Sequence, residues 1–354
     1  MGHARGKIKG RPALILFFFV FSFLGSICHA ASGSIDAISG IAYHKPKDGL
    51  KWGVLKSGDA ISVGDRIKTG ADGRVTVRLK DSTRLMIGND TELEITRHYV
   101  EKDKRGALYS LTGGRLRAVV MKFSGASDIK VRTRSGVMGI KGTDFIVMNH
   151  NDANIVFGME DAVNVAGLDT ASVELGQGLM TENTRGNAPI EPVRVEPQTP
   201  LEEALNELKA VTDAHAPVEW ERAGRLPSIM ARWNMNYGRY LADSLSYPAA
   251  LDVFQIAIDL TDEPKVKAEA HLERGGLFSV NLMRPEDALS EFNEVMDNFR
   301  EEPFLENAVY YAGAVNMGLG KKDEAALLFR RYLQEYPNGS KAETVKTFIK
   351  SLER

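Results

Sequence analysis

Two spacings divide the chain. From about residue 55 to residue 184, apolar and polar positions alternate in short runs broken by turn dipeptides. From about residue 200 onward, apolar positions recur every three or four residues. In the first stretch the turns Gly58-Asp59 and Gly64-Asp65 lead to a break at Thr69-Gly70. The alternating segment Val75-Thr76-Val77-Arg78-Leu79, a polar turn at Asp81-Ser82-Thr83 and the apolar run Leu85-Met86-Ile87 follow. A period of two between turn formers predicts strands. Further strands are predicted at Leu93-Glu94-Ile95, Leu108 to Leu111, Leu116 to Val120, Ile129-Lys130-Val131, Phe145 to Met148, Ile155-Val156-Phe157 and Val163-Asn164-Val165. Gly113-Gly114 and Asn149 to Asp152 are turns between them. So many short strands without a helical period predict an all-β module built as a sandwich, a roll or a short β-solenoid.

The second stretch predicts an all-α helical-repeat solenoid. Residues 185–200 hold four prolines and are expected to form an extended linker. Thr199, Pro200, Glu202 and Glu203 have the order of an N-cap, a first-turn proline and first-turn acids, and Leu201, Leu205 and Leu208 give an apolar stripe. Beyond them Phe254, Phe292 and Phe329 recur 38 and 37 residues apart, as do Ala270 and Ala308, and Gly275 and Gly313, at 38. A period of that size in helical segments marks stacked helix pairs. Leu319 to Ala326 and Tyr332-x-x-x-Tyr336-Pro337 resemble the turn and closing signature of tetratricopeptide repeats, although the period exceeds the usual ~34. The resemblance implies a partner-binding scaffold. Tyr310, Tyr311, Asn281 and Asn316 are its candidate contacts, and packing is the ordinary role of aromatics at this spacing.

The expected layout is therefore a leader (1–30), a β domain (31–184), a linker (185–200) and a helical domain (201–354). Arg5, Lys7, Lys9 and Arg11 precede an apolar run from Ala13 to Leu24, and Cys28 and Ala30 supply small residues for cleavage after Ala30. That is the form of a cleaved export signal, and the apolar run is short for a bilayer span. Cys28 is the single cysteine, so a cleaved chain would have no disulfide or thiolate site. The net charge of −2 argues against nucleic-acid binding. It divides unevenly: residues 31–184 carry 21 Lys+Arg against 19 Asp+Glu, whereas residues 185–354 carry 20 against 28.

Six elements in order also resemble the FecR-like domain of bacterial envelope proteins: Gly64-Asp65, Thr69-Gly70, Val75 to Leu79, Asp81-Ser82, Gly114-Arg115-Leu116 and Gly142-Thr143-Asp144-Phe145. The sequence departs at Asp81-Ser82-Thr83, where the family more often reads Asp-Gly-Ser. The resemblance implies a periplasmic binding or signalling module. In iron-transport regulators such a module relays to a cytoplasmic helical segment. The twelve residues before Ala13 are too few for one, so a signalling regulator is disfavoured.

Candidate chemistry is sparse. Arg115 with Arg117, and Lys130 with Arg132 and Arg134, alternate along two segments. If those strands were neighbours, a basic stripe would suit an anionic glycan, a lipid head group or an acidic partner. The bland alternative is a solvated face answered by nearby acids. Asp144 in its Gly-Thr-Asp turn has no evident acid–base partner, and a cryptic carboxylate pair of Asp81 with Asp144 is the weakest reading. His44, His98, His150, His215 and His271 show no metal-ligand spacing, and there is no phosphate loop. The expectation is a non-enzymatic, cofactor-free, exported adaptor of the cell envelope that binds protein through its repeats and an envelope component through its β domain. The alternative is a peptidoglycan-binding module presented by a helical scaffold.

Overall fold

The computed structural model describes residues 1–2 and 31–353, so the expected leader and its cleavage point lie outside the described residues. Residues 31–354 form one compact unit. The first strands are β1 (Gly33–Ser39), β2 (Ala42–Lys45), β3 (Gly53–Val54), β4 (Ala60–Ile61), β5 (Arg66–Thr69), β6 (Arg74–Leu79), β7 (Arg84–Ile87), β8 (Glu92–Val100) and β9 (Lys104–Val119). Then come β10 (Ala126–Arg132), β11 (Gly136–Ile140), β12 (Asp144–His150), β13 (Ala153–Glu160), β14 (Val163–Gly167), β15 (Ser172–Leu175), β16 (Leu179–Thr184) and β17 (Val193–Arg194).

These strands make two packed sheets, a sandwich. The inner sheet runs β4-β1-β6-β7-β9-β12-β13-β16-β17 and is antiparallel throughout. The outer sheet runs β3-β2-β5-β8-β9-β10-β11-β14-β15, with β9 and β10 parallel. β9 belongs to both. Its first half pairs in the outer sheet and its second half in the inner one. The crossover falls at Gly113-Gly114, where Gly114 has a φ of +107° that few other residues tolerate. Val75, Val77, Leu116, Ala118, Phe145 and Val147 from the inner sheet meet Ile67, Leu93, Ile129 and Val131 from the outer one in the first core.

The helices are α1 (Pro200–Thr212), α2 (Trp220–Gly224), α3 (Leu226–Asp243), α4 (Tyr247–Leu260), α5 (Pro264–Gly276), α6 (Pro285–Asn298), α7 (Leu305–Gly318), α8 (Lys322–Glu335) and α9 (Ala342–Leu352). A π-helical turn, Leu277–Asn281, prolongs α5. α1 starts as its sequence implies: the Thr199 hydroxyl accepts from Glu202 N, Pro200 sits in the first turn, and Leu201, Leu205 and Leu208 are buried. The pairs α3/α4, α5/α6 and α7/α8 repeat one contact. A Cβ on Gly238, Gly275 or Gly313 would meet the ring of Phe254, Phe292 or Phe329 at 2.6, 2.4 and 2.6 Å. Each glycine lets its helix approach the ring, and all three rings are fully buried.

The 185–200 segment departs from the expected free linker. Ile190 N donates to Glu182 O and Val195 N to Gly178 O, β17 pairs with β16, and Ile190, Val193 and Val195 pack on a second core. That core is shared between the two halves. Ile146, Met148, Ile155, Phe157 and Met180 on the outward face of the inner sheet meet Leu208, Val211, Met230, Phe254 and Ile258 of the helices. The molecule is thus layered: outer sheet, inner sheet, helices.

Candidate functional site

The five cations expected to form a stripe do not share a surface. Because β9 changes sheets at Gly113-Gly114, Arg115 and Arg117 lie in the inner sheet and face the helices, whereas Lys130 and Arg132 lie on the outer sheet. Arg115 is buried. Its Nη1 donates to the Asn89 backbone and side-chain oxygens at 3.3 and 3.2 Å, and its Nη2 to Ala223 O at the end of α2, 3.3 Å away. Burial holds the Arg115 guanidinium below its ordinary pKa. Arg117 grips Asp144 with both Nε and Nη2, at 2.9 and 2.6 Å, and the hydrogen bond to that carboxylate raises its pKa. Asp81, the other carboxylate of the weakest reading, is held by Arg105 at 3.3 Å and by Thr83. Lys130 pairs with Asp128 at 3.0 Å, and Arg132 and Arg134 are exposed.

Arg74 plays a part like that of Arg115. Its Nη1 donates to the carbonyls of Asp213 and Ala216, at 2.5 and 2.6 Å, beyond the C-terminal end of α1, and its guanidinium lies 5.4 Å from the Trp220 ring centre. A cation at a helix C-terminus meets unsatisfied carbonyls and the negative end of the dipole. Arginines of the sandwich therefore tie down the first two helices. The pattern that makes them resemble a ligand-binding stripe is the alternation that turns them toward those helices.

Arg134 and Arg115 do approach one cleft, at the end of the sandwich beside the β9 bend. Lys68, Glu92, Arg134 and His150 line its mouth. Arg115, Asn149 and Pro227 line its inner part, of roughly 270 Å³. Burial lowers the pKa of His150. A row of buried amides ends here. Asn183 Nδ2 donates to Ser135 O (2.7 Å), Asn154 Nδ2 to Asn183 Oδ1 (3.2 Å), and Asn149 Nδ2 to Asn154 Oδ1 (2.9 Å) and Ala153 O (3.0 Å). With both Asn149 amide hydrogens engaged, its Oδ1 is left as an acceptor without a protein partner, as Arg115 Nε is left as a donor. Both atoms are closed off from solvent, so they lie behind the cleft wall and do not mark a ligand contact.

A second concavity, of roughly 370 Å³, lies on the helical half between the π-helical turn and α7, and it is apolar. Val280 (73% exposed), Met283 (77%) and Tyr311 (39%) border it with Ala314 and Leu319. The π turn creates it: Leu282 N donates to Leu277 O, and the widened turn carries Val280 outward. Of the expected contacts, Tyr311 is at this groove. Asn281 is exposed at the end of the π turn. Tyr310 packs on Tyr332 and Phe348, with ring centres 6.2 and 6.4 Å away. Asn316 is not a groove contact: it is buried and donates to Ala312 O at 2.9 Å, one turn back in α7. Val280 and Met283 carry no mark in the sequence that separates them from core residues.

Residues 65–164 match the family model described as "FecR protein". The match spans the sandwich from β5 to β14, including the Arg117–Asp144 pair and the β9 bend. Among solved structures, a candidate anti-sigma factor from Parabacteroides distasonis is 20% identical (TM-score 0.33), and the alignment covers 40% of this chain and 64% of that one. The chain thus spans just under two thirds of that protein's length. The first TPR domain of human RPAP3 is 21% identical (TM-score 0.29), covering 35% of this chain and 95% of that one. The second, solved with an HSP70 peptide, is 16% identical (TM-score 0.30), covering 36% and 98%. No curated protein matches the chain.

Proposed function

We propose that the protein is a non-enzymatic adaptor of the bacterial cell envelope, exported by its N-terminal leader. In this reading the helical half holds an apolar segment of a protein partner, and the FecR module engages a component of the envelope. The observation that carries it is the open groove at Val280, Met283 and Tyr311. Val280, Met283 and the edge of Tyr311 are left in water there, side by side at a helical irregularity. Contiguous exposed apolar surface of this kind marks interaction sites. The dispersal of Arg115, Arg117, Lys130, Arg132 and Arg134 over different layers weighs against the glycan-binding alternative in the form that needs one basic face. Among the described residues no helix is long and apolar enough to cross a membrane.

The test is a photo-crosslinking group placed at Val280 in cells. A discrete adduct is expected, lost when Met283→Ser and Val315→Ser are added at the groove while Tyr311, which packs on Phe292, is left in place, and kept in a control variant of equal thermal stability altered away from the groove. Adducts that persist in the triple variant, or none above those from a crosslinker at exposed Leu327 on α8, would overturn the reading.

A further inference from the structure

The β2–β3 hairpin carries an unusual surface. Its tip, from Pro46 to Trp52, is turned by Gly49 N donating to Pro46 O at 2.9 Å. Its base is rigid: Tyr43 and His44 pair with Val54 and Gly53, and Lys47 N donates to Asp65 Oδ1 at 3.1 Å. On this firm stem Leu50 is 94% exposed, Val54 69% and Trp52 37%. Lys45, Lys47, Lys51 and Lys56 lie in the same segment, the last three exposed, with Asp48 the one acid between Lys45 and Lys56. Among the described residues none of the four lysines has an ion-pair partner within 4.0 Å. A lone exposed leucine is ordinary on a protein surface. An exposed leucine, an exposed valine and a partly exposed tryptophan on one hairpin that also carries four lysines without ion-pair partners are not.

We infer that this hairpin docks on an anionic lipid surface, with Leu50 and Trp52 entering the head-group boundary and the lysines meeting lipid phosphates. Each feature fits that partner. Lysines near a charged bilayer gain from its surface potential. Tryptophan favours the interface between head groups and acyl chains. An aliphatic tip gains only where it leaves water, to a depth of about 5–10 Å. An acidic protein would use the lysines and leave Leu50 and Val54 unexplained. A glycan would use Trp52 as a stacking platform, but the Arg66 guanidinium already lies 5.8 Å from that ring's centre. The inference rests on the adaptor reading only in naming the envelope component that the FecR module meets. Vesicle binding can fail while partner crosslinking at Val280 stands, and the reverse.

The test is co-sedimentation of the chain from Ala31 to Arg354 with phosphatidylglycerol-containing vesicles, with phosphatidylcholine vesicles and with purified peptidoglycan. Binding to the first is expected, weakening as salt is raised, with a blue shift of fluorescence that Trp52→Phe removes. Lys47→Gln and Lys51→Gln should each weaken it about five-fold, and Leu50→Ser with Trp52→Ala should weaken it by at least ten-fold. Lys47, Lys51 and Leu50 are exposed, so their single variants should leave the thermal melt in place, whereas loss of the Trp52 ring, which lies near Arg66, should lower it only slightly. Absence of vesicle binding, binding unchanged in these variants, or binding to peptidoglycan alone would overturn the inference.

Discussion

Glu182 is fully buried in β16, and among the described residues only Asn234 Nδ2 donates a hydrogen bond to its carboxyl, 3.1 Å from Oε2. Glu182 Oε1 and Asn234 Oδ1 both lack protein partners. Two unpaired acceptors are costly, and a proton on Oε1 turns one of them into a donor. Burial pushes this carboxyl up to about 8, while the Asn234 bond pulls the other way. In the unfolded chain it titrates near 4.5. Below that value it is protonated in both states and has no effect on stability. Between the two values folding takes up a proton, so stability falls as pH rises, by about 1.4 kcal/mol per pH unit, and the fall ends above the folded value. Glu182→Gln should flatten this slope between pH 5 and 8 and leave the variant more stable than the natural chain at pH 8.5 by a few kcal/mol, on the order set by that slope. Urea titrations of both at several pH values decide it; parallel profiles would mean that Glu182 is not buried as a neutral acid. Ser82 shows a smaller adjustment. It holds a φ of +65° in the turn where the FecR-like pattern more often has glycine, so the departure noted in the sequence costs backbone strain and leaves the turn in place.

At the scale of elements, the three glycine–phenylalanine contacts hold the repeat together. Adding a methyl at Gly275 should raise helix propensity by about 0.5–1 kcal/mol. It would also place a carbon 2.4 to 2.8 Å from three atoms of the Phe292 ring, which has no open space to move into. Overpacking of this kind typically costs about 1–3 kcal/mol, so the clash wins. Gly275→Ala should therefore destabilise the chain. In the Phe292→Leu background, where the ring is gone, the same change should be neutral or stabilising. A double-mutant cycle by urea unfolding measures the coupling, and additivity would show that the contact does not matter. These pairs were legible: the phenylalanine spacing and two of the three glycines stand out in the sequence, as do the strands with strict alternation. The groove was not, because a π turn leaves no trace in apolar periodicity and Val280 reads like any core valine. The buried role of Arg115 was equally hidden. Alternation tells which residues share a face but not what covers it.

That cover decides the behaviour of the whole molecule. β12 and β13 contain Phe-Ile-Val-Met and Ile-Val-Phe, apolar on consecutive positions, a pattern of strands buried on both faces. The signal was present, but the helices that bury the second face begin about forty residues after β13, behind prolines that resemble a free tether. Ile146, Met148, Ile155 and Phe157 each contribute about 1.5–3 kcal/mol by leaving water against those helices. Arg74 and Arg115 add bonds to helix-end carbonyls across the same boundary. The sandwich and the helical repeats should thus unfold in one transition, and the segment joining them should behave as part of the fold. Trypsin tests this directly, since Arg185 and Arg194 both lie in that segment. Arg185 N donates to Asp152 O, and Arg194 pairs with Leu179 in β17 and β16. In the natural chain neither bond should be cut under conditions where the calorimetric transition is intact. Leu208→Asp places an unpaired charge under α1, at a cost of about 3–5 kcal/mol. That should lower the transition and open Arg185 and Arg194 to cleavage at temperatures where the natural chain is still protected. Early cleavage at Arg194 in the natural chain, leaving two halves that melt separately, would mean that the shared core does not couple them, and that a partner held at Val280 is not fixed in position relative to the β2–β3 hairpin.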